Sequence, residues 1–418
     1  MTKKLLLAFI VGGAAGVAAG CQTYDFEPIE PLAVAQTTQT KSVAGRQMKP
    51  DLMFLIDKSG SMNFAADDNK APCTPLCNQA GKPLCVAGCP TRLESLKTAM
   101  QAFLASNGTV AWMGMAVFPT AVAASGGLPD ACGATSSADI RVQLDPKPTD
   151  LDADLSASAV AVSNAIKVLT VGGGTPTGDS LKFLGTYPAL LDPDPKLARE
   201  DFVLLLTDGL PNCNSSNPNN CNNVAACRCT LTPATSCMPT SYCTQGCLDK
   251  DNSSAQVTAL RGPGKNIKTI VIGFGAETAS GDGPDTLNAM AEAGGFARSC
   301  SLGTDAECGA NNTCNQATKL CNRKFYQATN ADDLGKVLAD ISKALSVTEI
   351  CNYKLDEVPT DPKFLTVIIN GIHEPGGTPD TWNYSQGKVN FTGALCEKVK
   401  ASTTNNPVLV EFRIVNAL

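Results

Sequence analysis

Asp57-Lys58-Ser59-Gly60-Ser61 puts a carboxylate and two hydroxyls at alternate positions directly after the apolar run Leu52-Met53-Phe54-Leu55-Ile56. A run of that kind reads as a strand of a parallel sheet buried on both faces. A D-x-S-x-S turn at its carboxyl end suits a divalent cation. The serine hydroxyls are neutral hard-oxygen ligands, and the aspartate supplies charge and fixes bound water.

This turn resembles the metal-ion-dependent adhesion site of von Willebrand factor A domains, and the more distant parts of that site follow in order. The resemblance implies a threonine before a mid-chain helix, and Thr175 stands in Gly172-Gly173-Gly174-Thr175-Pro176-Thr177-Gly178. It implies an aspartate after a later buried strand, and Asp208 ends Phe202-Val203-Leu204-Leu205-Leu206-Thr207-Asp208. The implied metal ligands are therefore Asp57, Ser59, Ser61, Thr175 and Asp208, with Mg²⁺ or Mn²⁺ as the ion. A site short of direct carboxylates leaves such an ion electrophilic. In the family, an aspartate or glutamate of a protein partner completes the shell, and exchange of the direct ligand between the threonine and the second aspartate changes affinity. A polysaccharide carboxylate would suit the same position.

Catalytic motifs fail on inspection. Gly173-x4-Gly178 has the frame of a phosphate loop, but Asp179 stands where lysine belongs and would repel phosphate. Asp57 ends its strand as phosphotransferase aspartates do, yet Ser59 replaces the second aspartate of haloacid-dehalogenase-type enzymes. No G-x-S-x-G elbow surrounds Ser59 or Ser61. His373 is the single histidine, which argues against histidine-based acid–base or triad chemistry. The expectation is a binding protein, not an enzyme.

The elements that must hold these residues alternate along the chain. Strands are expected at Leu52–Ile56, Val110–Phe118, Ile140–Leu144 (an edge partner), Phe202–Leu206, Ile267–Phe274 and Lys324–Gln327. Helices are expected at Leu93–Leu104, Val162–Leu169, from Leu181, at Asp285–Ala293 and at Ala331–Leu345. Alternation of this kind predicts a doubly wound, mostly parallel α/β sheet flanked by helices, over residues 49–347. Ligands of such sheets bind at the carboxyl ends of the strands, where Asp57 and Asp208 fall. After Leu345 the texture changes to short strands separated by Gly376-Gly377 and Gln386-Gly387, which predicts a small all-β module at 351–418 closed by Cys351 and Cys396.

The amino terminus reads as an export signal. Lys3 and Lys4 precede an apolar run from Leu5 to Ala19, shaped like a signal peptide. Val17-Ala18-Ala19-Gly20-Cys21 resembles a bacterial lipobox, which implies a signal peptide at 1–20 and acyl chains on Cys21, enough for a stable membrane anchor. Gln22 in place of aspartate favours the outer membrane or cell surface by the same resemblance. Residues 21–48, with Pro28, Pro31 and little apolar periodicity, read as a tether with an end-to-end distance of roughly 30 Å.

The cysteines agree with export. There are 19, and assigning Cys21 to lipid leaves an even 18. Such density belongs in an oxidising compartment. Cys73-x3-Cys77 and Cys85-x3-Cys89 have spacings a zinc knuckle could use, but the exported context and the near-absence of histidine favour disulfides. Three cysteine-rich inserts interrupt the sheet pattern, at 63–90, 213–250 and 299–322. The first two leave the sheet at its metal-bearing edge, either as stapled surface loops or as a frame that selects the ligand; the third lies at the opposite edge. Parity assigns the pairs. The first and third inserts hold four cysteines each and the carboxyl module two, so each can close on itself, whereas the second holds seven. Its odd cysteine is expected to bond Cys132, the other unmatched one. Cys227 and Cys229 are too close in sequence to pair with each other without strain.

Formal charge is −6, and removal of Lys3 and Lys4 makes the mature chain more acidic still. That gives no electrostatic footing for nucleic acid. Two functions fit: a lipid-anchored module that recognises a carboxylate-bearing protein or polysaccharide at the cell surface, and a periplasm-facing scaffold subunit of an envelope complex.

Overall fold

The computed structural model describes residues 38–43, 45–46, 48–67, 73, 88–120, 132–147, 150–191, 199–219, 226–231, 237, 245–275, 277–385, 387–401 and 408–417. The signal sequence, Cys21 and the first part of the tether lie outside them, as do Cys77, Cys85, Cys221 and Cys243.

Two short strands open the described chain, β1 (Thr38–Val43) and β2 (Gly45–Arg46). The central sheet follows with β3 (Asp51–Asp57), β4 (Trp112–Phe118), β5 (Ile140–Val142), β6 (Asp201–Thr207) and β7 (Lys268–Phe274). A hairpin of β8 (Cys314–Asn315) and β9 (Leu320–Cys321) precedes its last member, β10 (Tyr326–Ala328). The order across the sheet is β10-β7-β6-β3-β4-β5, parallel throughout except for the β5 edge.

Helices cover both faces. Leu52, Phe54 and Ile56 point to one side of β3 and Met53 and Leu55 to the other, and Phe202, Leu204 and Leu206 alternate likewise with Val203 and Leu205 on β6. This two-residue period explains why both strands read as unbroken apolar runs. The first face packs against α1 (Arg92–Ser106), α2 (Asp152–Lys167) and a long carboxyl helix at Ala331–Ile350. The second packs against α3 (Thr177–Leu184), α4 (Lys250–Arg261) and α5 (Gly283–Ala293). The layout fits the doubly wound, von Willebrand factor A-like α/β fold that the sequence resemblance implies.

The carboxyl module departs from expectation in two ways. It contains β11 (Asn352–Leu355), β12 (Leu365–Ile369), β13 (Ile372–Glu374), β14 (Trp382–Ser385), β15 (Lys388–Phe391) and β16 (Val410–Ala417). These form two four-stranded sheets, β1-β16-β12-β13 and β14-β15-β11-β2, around a core that includes Val367, Trp382, Phe391 and Phe412. First, Thr38–Val43 and Gly45–Arg46, read as tether, supply an edge strand to each sheet, so the module is assembled from both sides of the α/β unit. An edge strand needs backbone partners more than an apolar face, and the polar Thr38-Gln39-Thr40-Lys41-Ser42 therefore gave no signal. Second, the module is not all-β: Gly393–Lys400 is helical and packs Leu395 and Val399 into the core. Cys351 and Cys396 are bonded within it.

The candidate metal centre

The carboxyl ends of β3 and β6 meet at the point where strand order reverses, because β3 runs to β4 on one side and to the later β6 on the other. A crevice opens at such a switch point. Ile56 stands opposite Leu206, which sets Asp57 level with Thr207 and places Asp208 one residue beyond. Asp57 Oδ1 accepts from Ser59 N at 2.8 Å, and Oδ2 accepts from the Thr207 hydroxyl at 2.7 Å. Backbone bonds lace the serine loop to its neighbours: Lys58 N donates to Phe118 O at 2.7 Å, Gly172 N to Lys58 O at 2.9 Å and Gly60 N to Gly173 O at 2.9 Å. Gly173, at φ 93°, holds a conformation open to glycine and to few other residues. These contacts bring the Thr175 loop against the serine loop.

The oxygens then converge. Ser59 Oγ lies 3.1 Å from Ser61 Oγ, and Ser61 Oγ donates to Asp208 Oδ1 at 2.9 Å. Thr175 is fixed through its backbone, its N–H donating to Asn212 Oδ1 at 2.8 Å and its carbonyl accepting from Asn212 N at 2.9 Å. Gly209 leaves the approach clear. A Cβ there would sit 3.5 Å from Ser61 Oγ, 4.0 Å from Thr175 Oγ1 and 3.9 Å from Glu277 Oε2, so any larger side chain would hang over all three.

Charge in the site is unbalanced. Asp57 and Asp208 are both fully buried. Loss of hydration, and then repulsion from Asp208, push the Asp57 carboxyl up to about 7 in spite of the bonds from Thr207 and Ser59. Burial also raises Asp208, opposed by Arg92 and Ser61. Arg92 Nη1 donates to Asp208 Oδ2 at 2.8 Å and lies 3.6 Å from Glu277 Oε2. The guanidinium also stands 5.5 Å from the Phe64 ring centroid. It is the first residue of α1, behind a capping box of Thr91 and Glu94. The sequence pattern places the helix from Leu93 and singles out none of Arg92, Thr207, Asn212 and Glu277 for the site. Thr207 stood within a quoted motif, while the other three carry no local signal.

The donor set suits a hard divalent cation. Ser61 and Thr175 offer their hydroxyls beside Gly209, Ser59 and Asp208 adjoin Ser61, and buried Asp57 holds the serine loop, which gathers hard oxygens only. Cysteine-bound zinc finds no such support. Cys73 is bonded to Cys89. Among the described residues the one close group of histidine, cysteine or acidic ligand atoms is Cys300, Cys308 and Cys321, whose sulfurs are committed to the Cys300–Cys314 and Cys308–Cys321 disulfides.

The second insert is pinned to this site. Cys132 is bonded to Cys213, as parity and topology predict, while Cys227 pairs with Cys247 and Cys229 with Cys237. A Cβ on Gly174 would meet Cys213 Sγ at 2.4 Å and Cys132 Sγ at 3.3 Å. The disulfide therefore packs directly on the residue before Thr175.

No family model matches the chain. No curated protein matches it either. Among solved structures, the PilB minor pilin from Streptococcus sanguinis is similar at 19% identity and a TM-score of 0.39, covering 72% of this chain and 62% of the pilin. The chain thus spans about three-fifths of that protein's length. A von Willebrand factor type A protein from Catenulispora acidiphila is similar at 14% identity and a TM-score of 0.34, over 91% of this chain and 64% of that one. Proximal thread matrix protein 1 from the mussel byssus, with a zinc-occupied MIDAS motif, is similar at 15% identity and a TM-score of 0.35, over 74% and 48%. Likenesses this distant carry nothing about the site.

Proposed function

We propose that this chain is an exported, lipid-anchored binding module that uses a divalent cation to recognise a carboxylate of a protein partner at the cell surface. The observation that carries this reading is the gathering of the Ser59, Ser61 and Thr175 hydroxyls and Asp208 beside Gly209, with Asp57 fixing the serine loop. Ser59, Ser61 and Thr175 would hold Mg²⁺ or Mn²⁺, with Asp57 and Asp208 adding charge. The bound ion supplies a hard Lewis-acid position for an aspartate or glutamate oxygen.

The chain's own residues prepare that encounter. Asp57 fixes the serine loop through Ser59 N, and Thr207 fixes Asp57. Asn212 holds the Thr175 backbone, and the disulfide at Gly174 keeps that loop in place. Arg92 occupies one oxygen of Asp208 and leaves the other facing Ser61. That division favours Asp208 acting through water. Nothing in this set pairs a nucleophile with a base, since His373 lies on β13 of the carboxyl module, and the reading is binding and not catalysis. The disulfides agree with an oxidising, extracytoplasmic setting, and acylation at Cys21 would supply the tether to the membrane.

Calorimetry with the mature chain from Gln22 onward tests the metal centre. Mg²⁺ or Mn²⁺ should bind with one-site stoichiometry, and Asp57→Ala and Ser61→Ala should each abolish binding while circular dichroism stays unchanged. Unaltered metal affinity in both variants overturns the assignment.

A further inference from the structure

Lys58 lies inside the metal motif but outside the ligand set, and its surroundings are unusual for a lysine. Its residue is only 7% exposed, yet among the described residues its ammonium makes no hydrogen bond and no ion pair within 4.0 Å. The stem is buried while the ammonium faces the cavity, where partial loss of hydration disfavours its charge and an incoming anion would favour it. The side chain lines a cavity of about 500 Å³ beside the metal loop, together with Arg141, Val168, Leu169, Thr170 and Gly172. The neighbouring carboxylate is already committed. Asp139 Oδ2 accepts from Ser136 N at 3.0 Å and from Ser136 Oγ at 2.7 Å, and its Oδ1 lies 3.7 Å from Arg141. Lys58 and Arg141 line this space, and the carboxylates that act on Lys58, Asp139 and Asp57, are engaged by Ser136 and by Ser59 and Thr207.

The cavity and the metal centre share two stretches of backbone. Lys58 follows Asp57 directly, and its carbonyl accepts from Gly172 N in the loop that leads to Thr175. Val168 stands at the wall and is 78% exposed, which is high for a branched aliphatic side chain in a structured turn. With Leu169 it offers an apolar surface to the methylene stem of a side chain whose acidic end reaches Lys58.

We infer that this cavity is a second anion subsite, which takes an acidic side chain of the same peptide whose first carboxylate meets the metal centre. The inference rests on the metal-binding reading above and narrows it: the partner presents two acidic groups close together, one for the ion and one for Lys58 and Arg141. The apolar wall favours an acidic peptide over a uronate chain, which lacks such a stem.

The mature chain is titrated calorimetrically with acetyl-Gly-Asp-Gly-Gly-amide and acetyl-Gly-Asp-Glu-Gly-amide, in Mg²⁺ and in chelator. In Mg²⁺ the two-carboxylate peptide should bind about tenfold tighter, as expected for one added charge-assisted contact in a sheltered site. Lys58→Met should erase that preference with Mg²⁺ uptake retained. Val168→Glu, a substitution at an exposed position, should erase it by placing a carboxylate at the cavity wall. Mg²⁺ uptake with equal binding of both peptides overturns the subsite and leaves the metal centre standing. Absence of Mg²⁺ uptake, with two-carboxylate binding in chelator that depends on Lys58, supports the subsite and overturns the metal reading. Tighter, Lys58-dependent binding of oligogalacturonate overturns the peptide as occupant.

Discussion

Arg92 Nη1 lies 2.8 Å from Asp208 Oδ2, and both side chains are out of solvent, 2% and 0% exposed. The protein thus carries a fixed positive charge next to one of its two buried site carboxylates. Removing it leaves Asp208 facing Asp57 without compensation. Arg92→Met should destabilise the metal-free chain by about 3–5 kcal/mol, the usual effect of breaking a buried pair from one side. Denaturant unfolding in chelator measures it, and saturating Mg²⁺ should recover part of the loss.

Asp57 makes metal-free stability depend on pH. Burial, and then Asp208, push its carboxyl from the ordinary 3.8 up to about 7 against the bonds from Thr207 and Ser59, with Lys58 the neighbouring cation and Arg92 bound to Asp208. The folded chain therefore keeps a proton that the unfolded chain has lost between those values. Stability in chelator should fall as pH rises from about 4 to about 7 and then level off. Cation binding should release that proton, so Mg²⁺ affinity should rise over the approach to neutrality. Asp57→Asn should flatten the stability slope, and thermal melts across this range would reveal either result.

The Cys132–Cys213 bond packs on Gly174, next to Thr175. Cys132→Ser with Cys213→Ser should loosen the Thr175 loop and weaken Mg²⁺ binding several-fold, while the sheet core stays intact. Gly174→Ala should do the same with the bond present, since its Cβ would meet sulfur at 2.4 Å. Unchanged calorimetric affinity in both would show that the clamp is irrelevant to the ion.

Gly209→Leu should separate holding the ion from meeting the partner. The new side chain would hang over Ser61 and Thr175 from a point 3.5–4.0 Å away. Mg²⁺ uptake should persist in weakened form, and metal-dependent peptide binding should disappear.

Cys21→Ala tests the anchor. The variant should lose the acylated, membrane-anchored form that acylation at Cys21 would supply. Equal incorporation of labelled palmitate by the variant and the unaltered chain would count against acylation at Cys21.

The sequence alone determined the features that depend on local pattern. Asp57, Ser59 and Ser61 follow a strand whose burial on both faces requires an uninterrupted apolar run, and Asp208 follows another, so their shared place at the sheet's carboxyl edge was legible. The bond from Cys132 to the second insert was legible too, since an odd cysteine count leaves few partners. Tertiary structure alone decided what depends on distant chain. Arg92 reaches Asp208 and Glu277 reaches Arg92 from separate parts of the chain, and Asn212 reaches Thr175 because β6 ends beside the Thr175 loop. Thr38–Val43 and Gly45–Arg46 became strands because β16 and β11 offer them backbone partners. Such pairing is set by the neighbour's exposed edge and not by the strand's own side chains, so a polar segment gives no sign of it until the fold exists.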